Sequence, residues 1–140
     1  MILFCDTSAL IKLYVEEDGS DFVMAQAEAS EAVAVCRIAW VEFMSAFARR
    51  AREVPADAAA LDRARRRFKA DWPHCLTIEL TQGVAELAGE YAEAFALRAY
   101  DSMQLAAVMT LHRETAGSLR FACFDSRLTK AAQVLGIALA

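Results

Sequence analysis

The chain has 140 residues, 57% of them apolar and 24% charged, with a formal net charge of −4. That length suits one domain with a real core, and the composition excludes a disordered or low-complexity chain. No apolar run reaches the roughly 18 residues that a membrane span needs, and the mildly acidic balance does not by itself suggest a nucleic-acid binder.

Ile2-Leu3-Phe4-Cys5 is an apolar run that stops at a carboxylate, Asp6, and is followed by Thr7, Ser8 and an apolar helix-like segment to Tyr14. The pattern predicts a buried strand, an acid at its tip, and a helix capped by Ser8. Sites in parallel α/β sheets form at the carboxyl ends of strands, which makes Asp6 the first candidate site residue. No basic n-region precedes this strand, so no signal peptide is predicted and the cytoplasm is the expected address. Glu16 to Gly19 is turn-like, Ser20 is placed to cap a helix through about Ala29, and Ala32 to Cys36 is a second strand.

Ile38 to Ala48 is almost wholly apolar and reads as a buried helix in which Glu42 is the only charge. Val54-Pro55 breaks it, and Pro55 fits the first turn of an Arg-rich amphipathic helix from about Ala56 to Asp71. From Arg49 to Lys69 there are eight basic residues against three acids, so an otherwise acidic chain carries a basic arm. Such an arm can attract a polyanion; a solvated helix face explains it as well on charge alone.

Cys75 to Leu80 is a third strand, and Thr81 caps a helix through about Phe95 with Glu86, Glu90 and Glu93 on a wet face. Leu97 to Met109 is a second nearly buried helix, with Asp101 the lone acid in its first turn. Phe121 to Phe124 is a fourth strand that again stops at a carboxylate, Asp125. A helix from Arg127 to Leu135, a stop at Gly136 and a short last strand, Ile137 to Leu139, complete the order. The alternation predicts an α/β fold: a parallel sheet of about four or five strands sandwiched by helices, in one domain spanning 1–140. The four cysteines form no C-x-x-C pair, and with only two histidines they read as buried hydrophobes in a reducing compartment.

Four acids stand out. Asp6 and Asp125 end strands that open on one sheet edge, while Glu42 and Asp101 sit alone in apolar helices. Buried acids are usually paired or bound to metal. Asp101 and Asp125 could instead cap helices, but Glu42, in mid-helix, caps nothing. Crowded carboxylates repel, and a divalent cation removes that penalty; an all-oxygen donor set points to Mg²⁺ or Mn²⁺. Such an ion keeps waters and lowers their pKa. Thr7 and Ser8 could orient such water.

These residues also carry a resemblance. Asp6-Thr7-Ser8-Ala9-Leu10-Ile11-Lys12-Leu13-Tyr14 resembles the opening motif of PIN-domain nucleases, specifically the VapC-type toxins of prokaryotic toxin–antitoxin pairs. Glu42 matches that family's second acid. Ala99-Tyr100-Asp101-Ser102-Met103-Gln104-Leu105-Ala106 matches its third motif and Phe124-Asp125-Ser126-Arg127-Leu128 its fourth. The resemblance implies a Mg²⁺- or Mn²⁺-dependent endoribonuclease, an RNA substrate, an antitoxin that inserts into the acidic cleft, and a homodimer. It makes Asp6, Glu42, Asp101 and Asp125 the metal-binding and catalytic acids. Two positions depart from it: Cys123 stands where many members have Thr, and Arg127 where a further acid is sometimes found. Arg49, Arg50 and Arg52, just after the helix of Glu42, are candidate RNA contacts. Three other readings are weighed against the toxin. A housekeeping PIN nuclease would lack an antitoxin. A haloacid-dehalogenase-like phosphatase would need a second Asp where the chain has Ser8. A non-catalytic interaction module would use the acids to bind a partner's arginines.

Overall fold

The computed structural model describes residues 1–140. Four parallel strands lie in the order β3-β2-β1-β4: β1 (Ile2–Cys5), β2 (Ala32–Cys36), β3 (Leu76–Ile78) and β4 (Leu119–Ala122). Seven helices connect them: α1 (Thr7–Ile11), α2 (Ser20–Glu28), α3 (Ile38–Glu53), α4 (Ala58–Asp71), α5 (Gln82–Phe95), α6 (Ala99–Glu114) and α7 (Ser126–Val134). Short 3-10 turns at Pro55–Asp57 and Trp72–His74 bracket α4 where the two prolines interrupt regular hydrogen bonding.

The strands are apolar along their length because both sheet faces are covered. Successive side chains of a strand point to opposite faces. Leu3, Cys5 and Val35 accordingly join Phe43, Phe47 and Phe68 in one core cluster, under α1, α3 and α4. Phe4, Ala34 and Cys36 join the other, with Ala88, Leu105, Val108 and Leu128 under α5, α6 and α7. The first cluster is aromatic: the Phe43 and Phe68 rings stack at 3.8 Å with 10° between planes, and Tyr14, Trp40 and Trp72 meet Phe68 at 5.3–5.6 Å.

The strand order positions the site. The chain steps from β1 outward to β2 and β3, then crosses back through α5 and α6 to lay β4 on the other side of β1. The crevice between β1 and β4 at their carboxyl ends is therefore the switch point where α/β sheets take ligands.

Several sequence expectations shift. β4 ends at Ala122 instead of Phe124, because its register with β1 stops where β1 stops, at Cys5↔Ala122. The last strand reduces to a single parallel bridge, Phe121↔Leu139, at the β4 edge. α3 ends at Glu53, just before the expected break at Val54-Pro55. Gly19, at φ 89°, and not Ser20, is the N-cap of α2. Ser20 is buried and ties the preceding turn, donating to the Val15 carbonyl and accepting from the Glu17 N–H. Thr81 caps α5 as expected, and Gly136 takes the left-handed conformation after α7 at φ 78°. No helix is long and apolar enough to cross a membrane.

Phe68 is 1% exposed at the centre of the aromatic cluster. Phe68→Ala removes both its transfer energy and the packing of its neighbours, and is expected to cost about 3–5 kcal/mol. Urea unfolding reads this as a lower midpoint at unchanged slope.

Candidate metal centre

Asp6 leaves β1 at the switch point and becomes the N-cap of α1. Its Oδ1 accepts the Ala9 N–H at 2.9 Å and the Ser8 hydroxyl at 2.7 Å. Capping therefore falls to Asp6, and Ser8, expected as the cap, lies inside the first turn. The correction has a simple cause: the carboxylate precedes the first helical residue, where a side-chain acceptor reaches the N–H two or three places on. Asp6 Oδ2 meets the Cys123 thiol at 3.2 Å. Cys123 is the first residue past β4 and Asp6 the first past β1, so the parallel register sets them side by side.

The β4–α7 segment is pinned onto the start of the chain. The Phe124 N–H donates to Ser8 Oγ at 3.0 Å, and the Lys12 ammonium sits 4.5 Å over the Phe124 ring. Gly19 lies beneath that ring, where a Cβ would stand 2.8 Å from Phe124 Cε1. Asp125 then caps α7, accepting the Leu128 N–H at 2.9 Å. Its capping role leaves a second carboxylate oxygen free.

Glu42 comes from mid-α3 and is half-buried, less enclosed than its apolar sequence surroundings suggest. No cation pairs with it; Arg37, the nearest candidate in sequence, is bound to Glu79. Glu42 Oε1 instead accepts from Thr7 Oγ1 at 2.9 Å and from Gln104 Nε2 at 3.0 Å. Thr7 and Ser8 thus bond to the carboxylates themselves. Asp101 sits in the first turn of α6, makes no capping bond, and lies 3.8 Å from Arg98.

All four acids line one cavity of about 670 Å³, together with Thr7, Ser8 and Gln104. Within it they fall into two pairs. Burial pushes the Asp6 carboxyl up to about 6, hydrogen bonds from Ser8, Ala9 and Cys123 oppose the rise, and Glu42 adds to it. Burial also raises Asp101, with Asp125 adding to the rise and Arg98 opposing it. Asp101 and Asp125 share a second cleft with Arg98 and Arg127.

The walls are basic. Ile38, the adjacent pair Val41 and Glu42, then Ser45, Arg49 and Arg52 recur every three or four residues as one stripe of α3 facing the cavity. Arg98 adds a third cation and Tyr100 an exposed ring. Arg50 does not belong here: it lies on another face of α3, paired with Asp57 at 2.9 Å. Of the three expected arginines, Arg49 and Arg52 line the cavity and Arg50 does not; Arg98, not among them, lines it as well. Most of the basic arm lies along the solvated side of α4. Neither histidine lines the cavity. Gln104, Arg98 and Tyr100 line the cavity and were not named as site residues from the sequence, although Tyr100 and Gln104 fall inside a quoted motif; Cys123, noted as a departure from the fourth motif, meets Asp6 through its thiol.

No three Asp, Glu, His or Cys side chains are gathered closely enough to hold a metal ion as they stand. The donor chemistry nevertheless fits a hard divalent cation. The four acids present only oxygen, no Lys, Arg or His pairs with Asp6, Glu42 or Asp125, and Gln104 Oε1 is a buried acceptor without a partner.

Comparison with known proteins bears on the same residues. Residues 3–134 match the PIN domain family. Ribonuclease VapC45 of Mycobacterium tuberculosis (strain CDC 1551 / Oshkosh) is 31% identical over 139 residues, 99% of this chain and 94% of the relative. Two solved structures share the fold. A toxin–antitoxin complex from Klebsiella pneumoniae is 22% identical at a TM-score of 0.62, covering 90% of this chain and 88% of the other. VapBC-1 from nontypeable Haemophilus influenzae is 9% identical at a TM-score of 0.67, covering 100% and 97%.

The raised Asp6 carboxyl makes a stability prediction for metal-free protein. An acid whose folded pKa lies above its unfolded value binds its proton more tightly when folded, so folding stability falls as pH rises through that window. From 3.8 to about 6, the shift corresponds to roughly 3 kcal/mol. In chelator, the stability of Asp6→Asn relative to wild type should therefore rise between pH 4 and pH 7, read by urea unfolding. A difference that stays flat across that range contradicts the assignment.

Proposed function

The chain belongs to the PIN-domain family, in its VapC-type branch, and on that premise we propose that it is a metal-dependent endoribonuclease acting as the toxin of a type II toxin–antitoxin pair. The observation that carries the proposal is the cavity at the β1/β4 switch point, with four carboxylates on its floor and unpaired arginines on its wall. The matched relative is named a ribonuclease, and the fold neighbours were solved as toxin–antitoxin or VapBC assemblies. RNA is thus the proposed substrate, an antitoxin protein the proposed inhibitor, a second copy of the chain a further proposed partner, and the cytoplasm the proposed compartment.

Asp6, Glu42, Asp101 and Asp125 would hold Mg²⁺ or Mn²⁺. A bound ion supplies charge neutralisation at the scissile phosphate and a water of lowered pKa. The protein's own residues do the rest. Asp6 takes Ser8 and Ala9 on one oxygen and only the weak thiol donor of Cys123 on the other, while Glu42 commits one oxygen to protein donors and keeps the other toward the cavity. Asp125 does the same through its cap. Arg49 and Arg52, with no acidic partner, and Arg98, 87% exposed, meet the phosphates on either side of the bond that breaks. The Tyr100 ring, 57% exposed, offers a face on which an unpaired base can stack.

Cleavage of a mixed RNA pool by wild type, Asp6→Asn and Asp101→Asn, each with Mn²⁺ and with EDTA, tests the proposal. Cleavage is expected only from wild type with metal. Activity that survives either substitution, or that ignores EDTA, refutes it. The arginine assignment has its own readout in binding to non-cleavable 2′-O-methyl RNA. Arg49→Ala and Arg52→Ala should each lower the slope of log affinity against log salt by about 0.7, and Arg50→Ala should leave it unchanged.

A further inference from the structure

Gln104, on α6, is 2% exposed, and it is the most buried polar side chain lining the cavity. Its Nε2 donates to Thr7 Oγ1 at 3.1 Å and to Glu42 Oε1 at 3.0 Å. Thr7 Oγ1 gives its single proton to the same Glu42 oxygen at 2.9 Å. The three side chains close a triangle drawn from α1, α3 and α6, over sequence separations of 35 to 97 residues. Its polarity is determined by valence. A carboxylate only accepts, and Thr7, having donated, can only accept, so Gln104 must turn its amide nitrogen to both. The opposite rotamer would set a carbonyl oxygen against two acceptors.

The triangle treats the two oxygens of Glu42 differently. Oε1 takes both donors. Oε2 takes none, and the only buried unpartnered side-chain polar atoms in the molecule are Gln104 Oε1 and His112 Nδ1, so Oε2 is open to the cavity. A mid-helix glutamate otherwise swings about three torsions and can offer one oxygen or two.

We infer that Gln104 and Thr7 are positioning residues that tie down one oxygen of Glu42, restricting it to a single-oxygen contact with the cation and so biasing the cavity toward small octahedral ions and against Ca²⁺. This rests on the metal reading of the cavity given above. Its physical basis is the difference between the ions. Mg²⁺ and Mn²⁺ suit single carboxylate oxygens in a tight octahedron, whereas Ca²⁺ is larger and gains from carboxylates that bind through both oxygens. Holding Glu42 in advance also removes the entropy of ordering it when the ion arrives. Outer residues of this kind typically change metal affinity by 10–100-fold.

The test is calorimetric titration of the full chain with Mn²⁺ and separately with Ca²⁺, without RNA. Gln104→Met keeps the shape of the side chain and removes both donors. Thr7→Val removes the hydroxyl at the partly open start of α1, and guards against a folding defect in the α6 variant. Thr7→Ser restores the hydroxyl. Gln104→Met and Thr7→Val should each weaken Mn²⁺ binding about tenfold or more while Ca²⁺ changes less, so the preference for Mn²⁺ narrows. Thr7→Ser should keep the wild-type preference. Variants that unfold at the wild-type temperature and keep the wild-type ratio of the two affinities overturn the inference. Wild-type protein that binds no Mn²⁺ overturns the metal reading together with it. RNA left uncut by a chain whose ion preference shifts as described refutes the nuclease proposal alone.

Discussion

At the end of β1, one carboxylate serves two structures. Asp6 must accept from Ala9 and Ser8 for α1 to begin, and it does so while 5% exposed and without a cation. An uncompensated charge in that position costs free energy, and the rise of its pKa expresses that cost. The surroundings answer it with donors: a hydroxyl, an amide N–H and a thiol. None of them is a lysine or arginine. A cation side chain would be the cheaper answer for folding, but it would close the cavity. Asp6, Glu42 and Asp125 are thus each held by hydrogen bonds of their own, with no cation side chain paired to them.

The same economy explains how a chain of net charge −4 can be matched to a polyanion. Net charge says little about local field. The carboxylates lie on the floor, next to backbone and helix starts, and the arginines stand on the rim, on the outward stripe of α3 and at the start of α6. A phosphate chain laid over the opening meets the cations first. The repulsive floor is met only at the depth where a divalent ion would shield it.

Much of this was legible in the residues alone. Asp6 and Asp125 follow apolar runs, and a parallel sheet brings such positions to one edge. Glu42 and Asp101 were conspicuous as single charges in apolar helices. Gln104 was not, because an uncharged polar residue in an apolar helix has no distinguishing pattern, and its role exists only where α1 and α3 come to meet it. Cys123 was marked as a departure from the fourth motif as well as a buried hydrophobe; its thiol contact with Asp6 follows from the parallel register of β1 and β4. Arg49, Arg50 and Arg52 were named together as candidates, and only the helical phase separates them. α3 runs up to the expected break at Val54-Pro55, and its phase puts Arg49 and Arg52 in line with Glu42 and turns Arg50 about 100° away. Ser8 was displaced by one rule of helix geometry, since the acceptor that precedes the first turn outcompetes one inside it.

The pinning of Phe124 onto Ser8 joins residues 116 apart in sequence. Ribosomes add residues at roughly 5–20 per second, so the two halves of this contact emerge on the order of ten seconds apart. Until β4 arrives, β1 has only β2 beside it, Asp6 lacks its thiol neighbour, and Asp125 does not yet exist. A chain under synthesis therefore lacks the β4 side of its cavity for nearly its whole length. The strand order thus makes the cavity one of the last parts of the fold to be completed.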